Sequence, residues 1–354
     1  MMALQVLTGL VLLILGGELL VRGASRVAAA FGIPSLIIGL TVVAFGTSAP
    51  ELAVSVRAAM TGEAAIAVGN VVGSNIFNVL FILGLSALVV PLVVSRQLVR
   101  FDVPLMIGVS CAVLVMALDG SIGFGDGVVL CAGLAAWLVM LGRMSRGEGE
   151  ADARGTGEAP AGGVARHAVN AALIALGLAL LIVGARWLVE GAVTLARVVG
   201  VSELVIGLTV VAAGTSLPEV VTSVVASVRG ERDIAVGNVV GSNLFNMLGV
   251  LGIASLVAPQ GLAVSASALR FDLPVMIGVA IACLPIFFTG GRIERWEGGL
   301  FFAYYIAYTT WLVLAATGHA ALGPFSAAVG LFVLPLTVVT LIVLALRHGR
   351  RSPA

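Results

Sequence analysis

The sequence contains no lysine. Its 19 basic residues are all arginine, and they face 18 acidic residues for a net charge of +1. No basic cluster of groove-binding type exists, so a nucleic-acid partner is excluded. Charged residues make up only 10% of the chain, against about 25% in a soluble domain. The three cysteines, Cys111, Cys131 and Cys283, lie in apolar runs without CxxC spacing, which argues against a disulfide framework or a thiolate metal site. The three histidines, His167, His319 and His348, all fall near helix ends, so an intramembrane hydrolase lacks a mid-span base.

Apolar sequence fills the space that charge leaves. Hydrophobic residues are 60% of the chain and the mean hydropathy is +1.16. The apolar stretches are about 20 residues or longer, enough to cross a bilayer as helices, and they lack the two-residue alternation of barrel strands. The expected fold is an all-α polytopic membrane protein in contact with the lipid bilayer. Eleven spans are expected: 2–29, 35–60, 66–90, 103–118, 123–141, 167–198, 203–228, 234–258, 272–289, 297–316 and 325–346. The breaks carry turn residues, among them Gly32-Ile33-Pro34, Asp119-Gly120-Ser121 and Gly323-Pro324. The stretch 142–166, rich in Gly, Ala, Glu and Arg, reads as a flexible cytoplasmic loop. The first segment lacks a basic n-region and recurs later, so it reads as a retained span and not a signal peptide.

Two blocks occur twice. Gly39-Leu40-Thr41-Val42-Val43-Ala44-Phe45-Gly46-Thr47-Ser48-Ala49-Pro50-Glu51 returns from Gly207 to Glu219, and Ile66 to Asn78 returns as Ile234 to Asn246. The offset is 168 residues for both. The domains are therefore a first repeat, 1–141, the loop 142–166, a second repeat, 167–316, and an extra C-terminal helix with a basic tail, 317–354. Five spans per repeat is an odd number, so the second copy enters the membrane from the opposite side and the repeats are inverted. With the N-terminus outside, 15 arginines fall on the cytoplasmic side and 4 outside. The expected location is the plasma (inner) membrane, with the C-terminus cytoplasmic.

Each block sets polar groups inside apolar sequence. Pro50 and Pro218 cannot donate to the helix ladder, which frees the carbonyls of Gly46 and Gly214. Glycine bending is expected to release carbonyls near Ala44 and Ala212 as well. Ser74 and Asn78 share one helix face, as do Ser242 and Asn246, while Asn75 and Asn243 stand beside them. Glu51 and Glu219 have no arginine in either block, and an unpaired carboxylate in lipid costs several kcal/mol, about 3 or more. A cation is the natural counter-charge. The available ligands are hard oxygens, which suit Ca²⁺ with its six to eight ligands and argue against zinc, copper or iron. A passive channel would also use broken helices, but a site between inverted repeats favours alternating access.

Gly-Thr-Ser-x-Pro-Glu followed by Gly-Asn-x-x-Gly-Ser-Asn-x-x-Asn, present twice, resembles the calcium/cation antiporter superfamily, and most closely its prokaryotic sodium/calcium exchangers. The likeness covers residues 1–316. It implies Ca²⁺/Na⁺ antiport with inorganic cations as the partners, no cofactor, no enzymatic activity, and a monomer as a sufficient unit. Glu51 and Glu219 would be the central ligands. Thr47, Ser48, Ser74 and Asn78 would join them from the first half, and Thr215, Ser216, Ser242 and Asn246 from the second. The Ala44 and Ala212 carbonyls would serve flanking Na⁺ sites. Family exchangers often carry Asp at the position of Asn246, so this site holds at most two formal negative charges. H⁺-coupled antiport is the alternative. The repeated Arg-Phe-Asp-x-Pro, at Asp102 and Asp272, reads as a helix N-cap.

Overall fold

A computed structural model describes residues 2–153, 164–288 and 290–340. Helix α1 is Met2–Phe31. Helix α2 is bent by 46° between α2a, Ser35–Thr47, and α2b, Ala49–Met60. Helices α3, Ala64–Val89, and α4, Leu98–Asp119, follow. Helices α5, Phe124–Ala153, and α6, Val164–Val198, flank the middle of the chain. The second half continues with α7a, 203–214, α7b, Leu217–Val228, α8, Arg232–Val257, α9, Ala268–Phe288, and α10, Arg295–Ala316. Helix α11 is Leu322–Thr340.

Among the described residues nine helices are long and apolar enough to span a bilayer, or ten with the bent α2. The seventh expected span, 203–228, is split. Its helix stops at Gly214, turns through Thr215 and Ser216, and restarts at Leu217, so α7b alone is too short to count. The expected loop 142–166 also differs, because α5 continues to Ala153. Its Ala, Glu and Arg residues are good helix formers and carry the helix onward. Residues 154–163 lie outside the described residues, as do 341–354 with Arg347, Arg350 and Arg351.

Helices α3 and α8 form the centre. Their apolar windows are 78% and 89% buried, against 33% or less for the other spans. Helices α1 and α6 cross antiparallel in backbone contact. A Cβ at Gly16 would lie 2.8 Å from the Gly177 carbonyl, and one at Gly9 would lie 2.9 Å from the Gly184 carbonyl. Small residues at seven-residue spacing permit that approach.

Two short ladders tie the repeats together reciprocally. Strand β1, Leu92–Val93, pairs antiparallel with β4, Arg292–Ile293, and β2, Ser121–Ile122, pairs with β3, Leu262–Ala263. Strands β1 and β3 are equivalent in the two repeats, as are β2 and β4, so each repeat lends both partners. The ladders also place connections 92–93 and 292–293 on one face and 121–122 and 262–263 on the other, the same partition that the arginine count draws. Glu18 fits it too. It pairs with Arg22 and with Arg229, while the repeat-related Arg186 and Glu190 carry the opposite charges and pair with each other. Both glutamates are therefore paired with arginine.

Candidate functional site

The break in each α2-type helix delivers a carboxylate to the centre. Ser48 leaves the helix at φ −81°, ψ 7°, and Pro50 opens α2b with Glu51 in its first turn. Ser216, Pro218 and Glu219 repeat this at α7b. Both carboxylates are fully buried. Each accepts a hydrogen bond from the other repeat. Ser216 Oγ donates to Glu51 Oε1 at 2.8 Å, and Ser48 Oγ donates to Glu219 Oε1 at 3.0 Å. Ser216 Oγ also lies 3.3 Å from Ser74 Oγ. Five of the expected residues thus fall into two bonded groups that each bridge the repeats, Glu51 with Ser216 and Ser74, and Glu219 with Ser48.

Asn78 and Asn246 reach the flank of these groups from α3 and α8. Each opens a π-helical turn, Asn78–Leu83 and Asn246–Leu251, where the backbone widens by one residue. Such turns recur at functional positions. Asn78 Nδ2 donates to Asn243 Oδ1 at 2.9 Å, and Asn246 Nδ2 donates to Asn75 Oδ1 at 3.1 Å.

Among the described residues, eight buried side-chain oxygens have no hydrogen-bond partner, and four of them are the carboxylate and amide oxygens Glu51 Oε2, Glu219 Oε2, Asn78 Oδ1 and Asn246 Oδ1. Ser242 Oγ and Thr215 Oγ1 are also unpartnered. An orphaned buried acceptor costs about 1–3 kcal/mol, and charged ones cost more. Two carboxylates and two amides with free lone pairs make a set of hard oxygen donors.

The Ala44 carbonyl behaves differently from expectation. Ala44 O is not released, since it accepts the Ser48 N–H at 3.0 Å, and it lies 3.4 Å from Thr47 Oγ1. Thr47 Oγ1 carries one proton and lies nearer to Val43 O and Asn238 Oδ1, both at 3.1 Å, so with that proton directed to either the second lone pair of Ala44 O remains for an ion. Ala44 is buried, whereas Ala212 is exposed.

That contrast extends along the two half-helices. Helix α2a lies tight against α8. A Cβ at Gly237 would sit 2.9 Å from the Leu36 carbonyl, and one at Gly39 would sit 3.0 Å from Ile234 Cα. Among the described residues, a Cβ at their repeat-related positions, Gly69 and Gly207, meets nothing within 4 Å. Ile234 is fully buried, while its equivalent Ile66 is 51% exposed. Thr47 Oγ1 bonds Asn238 Oδ1 at 3.1 Å, but the mirror-image bond from Thr215 to Asn70 is not made. Helix α2a is thus packed onto α8, whereas the matching face of α3 at Ile66 and Gly69 is not covered in the same way by the described residues.

The sequence left two asparagine pairs unassigned. Asn70 Nδ2 donates to the Glu51 carbonyl at 3.2 Å and to Ser55 Oγ at 2.9 Å. Asn238 does the same for Glu219 and Ser223, at 3.4 and 3.0 Å. Asn75 and Asn243 join the repeats across the centre. All four stand in the duplicated blocks, and repetition at the 168-residue offset was the available signal. Asp102 and Asp272 were expected as N-caps and are not. Neither makes that bond, because each helix begins earlier in a π-helical turn that ends on the aspartate. Asp102 instead accepts Gln97 Nε2 at 3.0 Å and Trp137 Nε1 at 3.5 Å, and Asp272 accepts the Tyr308 hydroxyl at 2.9 Å.

An inverted-repeat bundle with paired carboxylates at two helix breaks defines a class of ion-coupled membrane transporter. The sodium/calcium exchanger protein family matches residues 1–142 and 169–314. The putative antiporter CaxA of Alkalimonas amylolytica is 39% identical over 309 residues, 86% of this chain and 96% of the relative. The sodium/calcium exchanger MaX1 of Methanosarcina acetivorans is 32% identical over 345 residues, covering 86% and 96%. Among solved structures, that of the sodium-calcium exchanger NCX_Mj soaked with Na⁺ and Sr²⁺ superposes with a TM-score of 0.74 at 31% identity, covering 86% of this chain and 96% of that one. The chain belongs to the sodium/calcium exchanger family.

Proposed function

We propose that the protein exchanges Ca²⁺ for Na⁺ across the cytoplasmic membrane by alternating access, with the ions bound between Glu51 and Glu219. The observation that carries this reading is the set of buried oxygens without partners, two from carboxylates and two from amides. Such a set suits a hard cation. Thr47, Ser48, Ser74, Thr215, Ser216 and Ser242 complete the ligand shell, with the Ala44 and Ala212 carbonyls at its two ends. Ca²⁺ neutralises two ionised glutamates, and so do two Na⁺. Competition of the two ions for one charge is the coupling, because the half-helices close over a filled site and a charged empty one stays hydrated.

The test is ⁴⁵Ca²⁺ flux in proteoliposomes with Na⁺ and H⁺ gradients imposed separately. An outward-directed Na⁺ gradient is expected to drive uptake, and a pH gradient without Na⁺ is not. The reverse result would move the assignment to proton coupling, with Glu51 and Glu219 as the carriers. On the family resemblance three Na⁺ for each Ca²⁺ is the expected ratio, the third leaving the site at +1, so the cycle moves one net charge. Each charge gains about 2.3 kcal/mol per 100 mV of potential. Clamping vesicles with K⁺ and valinomycin should therefore change the uptake rate strongly, and voltage-independent uptake would instead indicate two Na⁺.

The orientation rests on the arginine split. With the N-terminus outside, the packed face of α2a on α8 is cytoplasmic and the uncovered face of α3 at Ile66 and Gly69 is external. A cysteine placed at Gly142 should resist impermeant thiol reagents added to intact cells, and one placed at Ala320 should react. The opposite pattern would invert the assignment.

A further inference from the structure

The amides of Asn78 and Asn246 are useful to a cation only one way round. An asparagine carries an acceptor at one end and two donors at the other. Turned wrongly, each would present N–H groups where an ion needs a lone pair. Something must fix their orientation, and an asparagine side chain of the opposite repeat supplies it.

Asn75 Nδ2 lies 3.3 Å from the Asn243 carbonyl and 3.7 Å from Met276 Sδ. A carbonyl and a thioether only accept, so the nitrogen of Asn75 must face them. Its Oδ1 is thereby directed to Asn246, whose nitrogen must answer it, at 3.1 Å. The oxygen of Asn246 is the end left over, buried and unpartnered. The mirror chain runs from the Asn75 carbonyl and Met106 Sδ, at 3.4 and 3.5 Å, through Asn243 to Asn78 at 2.9 Å. It ends on the unpartnered oxygen of Asn78. Asn75 and Asn243 are 1% and 3% exposed, so water does not compete for these bonds.

We propose that Asn75 and Asn243 are positioning residues that hold the amides of Asn246 and Asn78 with their oxygens turned toward the transported ions. The inference rests on the proposed ion site. Each anchor reads the backbone of the opposite repeat, so the two halves set each other's ligands. It has a specific chemical consequence. A carboxylate has an oxygen at both ends and needs no anchor. Aspartate at 246 should therefore be indifferent to loss of Asn75. With Asn75 present, it would set an oxygen against Asn75 Oδ1, two acceptors at a distance meant for a hydrogen bond.

The experiment is equilibrium ⁴⁵Ca²⁺ binding to the purified full-length protein in Na⁺-free buffer. Asn75→Ala is expected to weaken Kd about tenfold, or about 1.4 kcal/mol, with the number of sites unchanged. Adding Asn246→Asp to Asn75→Ala should restore Kd to within about threefold of wild type, whereas Asn246→Asp alone should bind more weakly than that double variant. A merely structural role would lower the number of binding-competent molecules, leave Kd alone and show no rescue. An unchanged Kd in Asn75→Ala overturns the proposal, as does a double variant no better than the single. Misfolding of Asn75→Ala that Asn246→Asp does not repair counts against it equally. Glu51→Gln separates the two levels. Wild-type protein that binds no ⁴⁵Ca²⁺, or Glu51→Gln that binds like wild type, overturns the proposed ion site itself. Loss of binding in Glu51→Gln beside normal binding in Asn75→Ala overturns the positioning role alone.

Discussion

Glu51→Gln and Glu219→Gln are each expected to abolish exchange while leaving a folded protein. Glutamine has the shape of glutamate, and its Oε1 still accepts the bond from Ser216 or Ser48 that the carboxylate accepts now. What changes is the other end. The unpartnered Oε2 becomes an NH₂ group that cannot ligate a cation, and half of the site's charge is lost. Interactions with a charged group are worth about 1.5–3 kcal/mol each. Loss of a ligand and its charge together should weaken Ca²⁺ binding at least about 100-fold. Stability should move the other way in ion-free buffer. Two buried carboxylates with orphaned oxygens burden the empty protein, and a neutral amide relieves part of that, so the variants should melt at a higher temperature than wild type without ions. Added Ca²⁺ should raise the wild-type Tm by mass action and leave the variants unmoved. Thermal melting followed by tryptophan fluorescence, beside ⁴⁵Ca²⁺ flux, reads both effects. A variant that exchanges at the wild-type rate removes the carboxylate from the site.

Much of this arrangement was legible in the sequence, for a physical reason. Polar groups in apolar helices are costly, so Glu51, Glu219 and the serines and asparagines around them stood out, and the 168-residue repeat paired them correctly. The helix breaks followed from Pro50 and Pro218. What stayed hidden was geometry that leaves no periodic mark. A π-helical turn at Asn78 shifts the backbone by one residue without altering the apolar pattern around it. The same kind of turn moved Asp102 from the expected cap to the interior of its helix, where it holds Trp137. Asn75 and Asn78 look alike in the sequence, three residues apart on one helix. Only the placement of the second repeat separates the one that anchors from the one that points its oxygen free.

The difference between the halves was also beyond the sequence. Gly-Leu-Thr-Val-Val-Ala occurs at 39–44 and again at 207–212, yet Gly39 is packed against Ile234 while Gly207 meets nothing within 4 Å among the described residues. Identical residues in unequal surroundings describe a state of the molecule, and alternating access requires the two copies to exchange surroundings. That makes Gly69 the most revealing position in α3. A side chain there meets open space in this conformation, so Gly69→Leu should fold and should gain helix propensity, roughly 1 kcal/mol. In the opposite conformation α7a would lie on α3 as α2a now lies on α8. Gly69 would then stand where Gly237 stands, with a Cβ 2.9 Å from a facing carbonyl. Leucine cannot be accommodated against backbone at that distance. Overpacking costs about 1–3 kcal/mol even where side chains give way, so the closed-outside state should be lost and turnover should fall at least about 100-fold. Ca²⁺ binding should survive, because this conformation retains the whole site. Gly237→Leu should do the reverse, excluding the present state and favouring its mirror image. Impermeant maleimide on cysteines introduced at Ile66 and Ile234 distinguishes the two. Gly69→Leu is expected to keep position 66 reactive and position 234 protected, and Gly237→Leu to exchange that pattern. Wild-type turnover in Gly69→Leu would show that α7a never closes on α3, and the two halves would then have to share the ions without trading places.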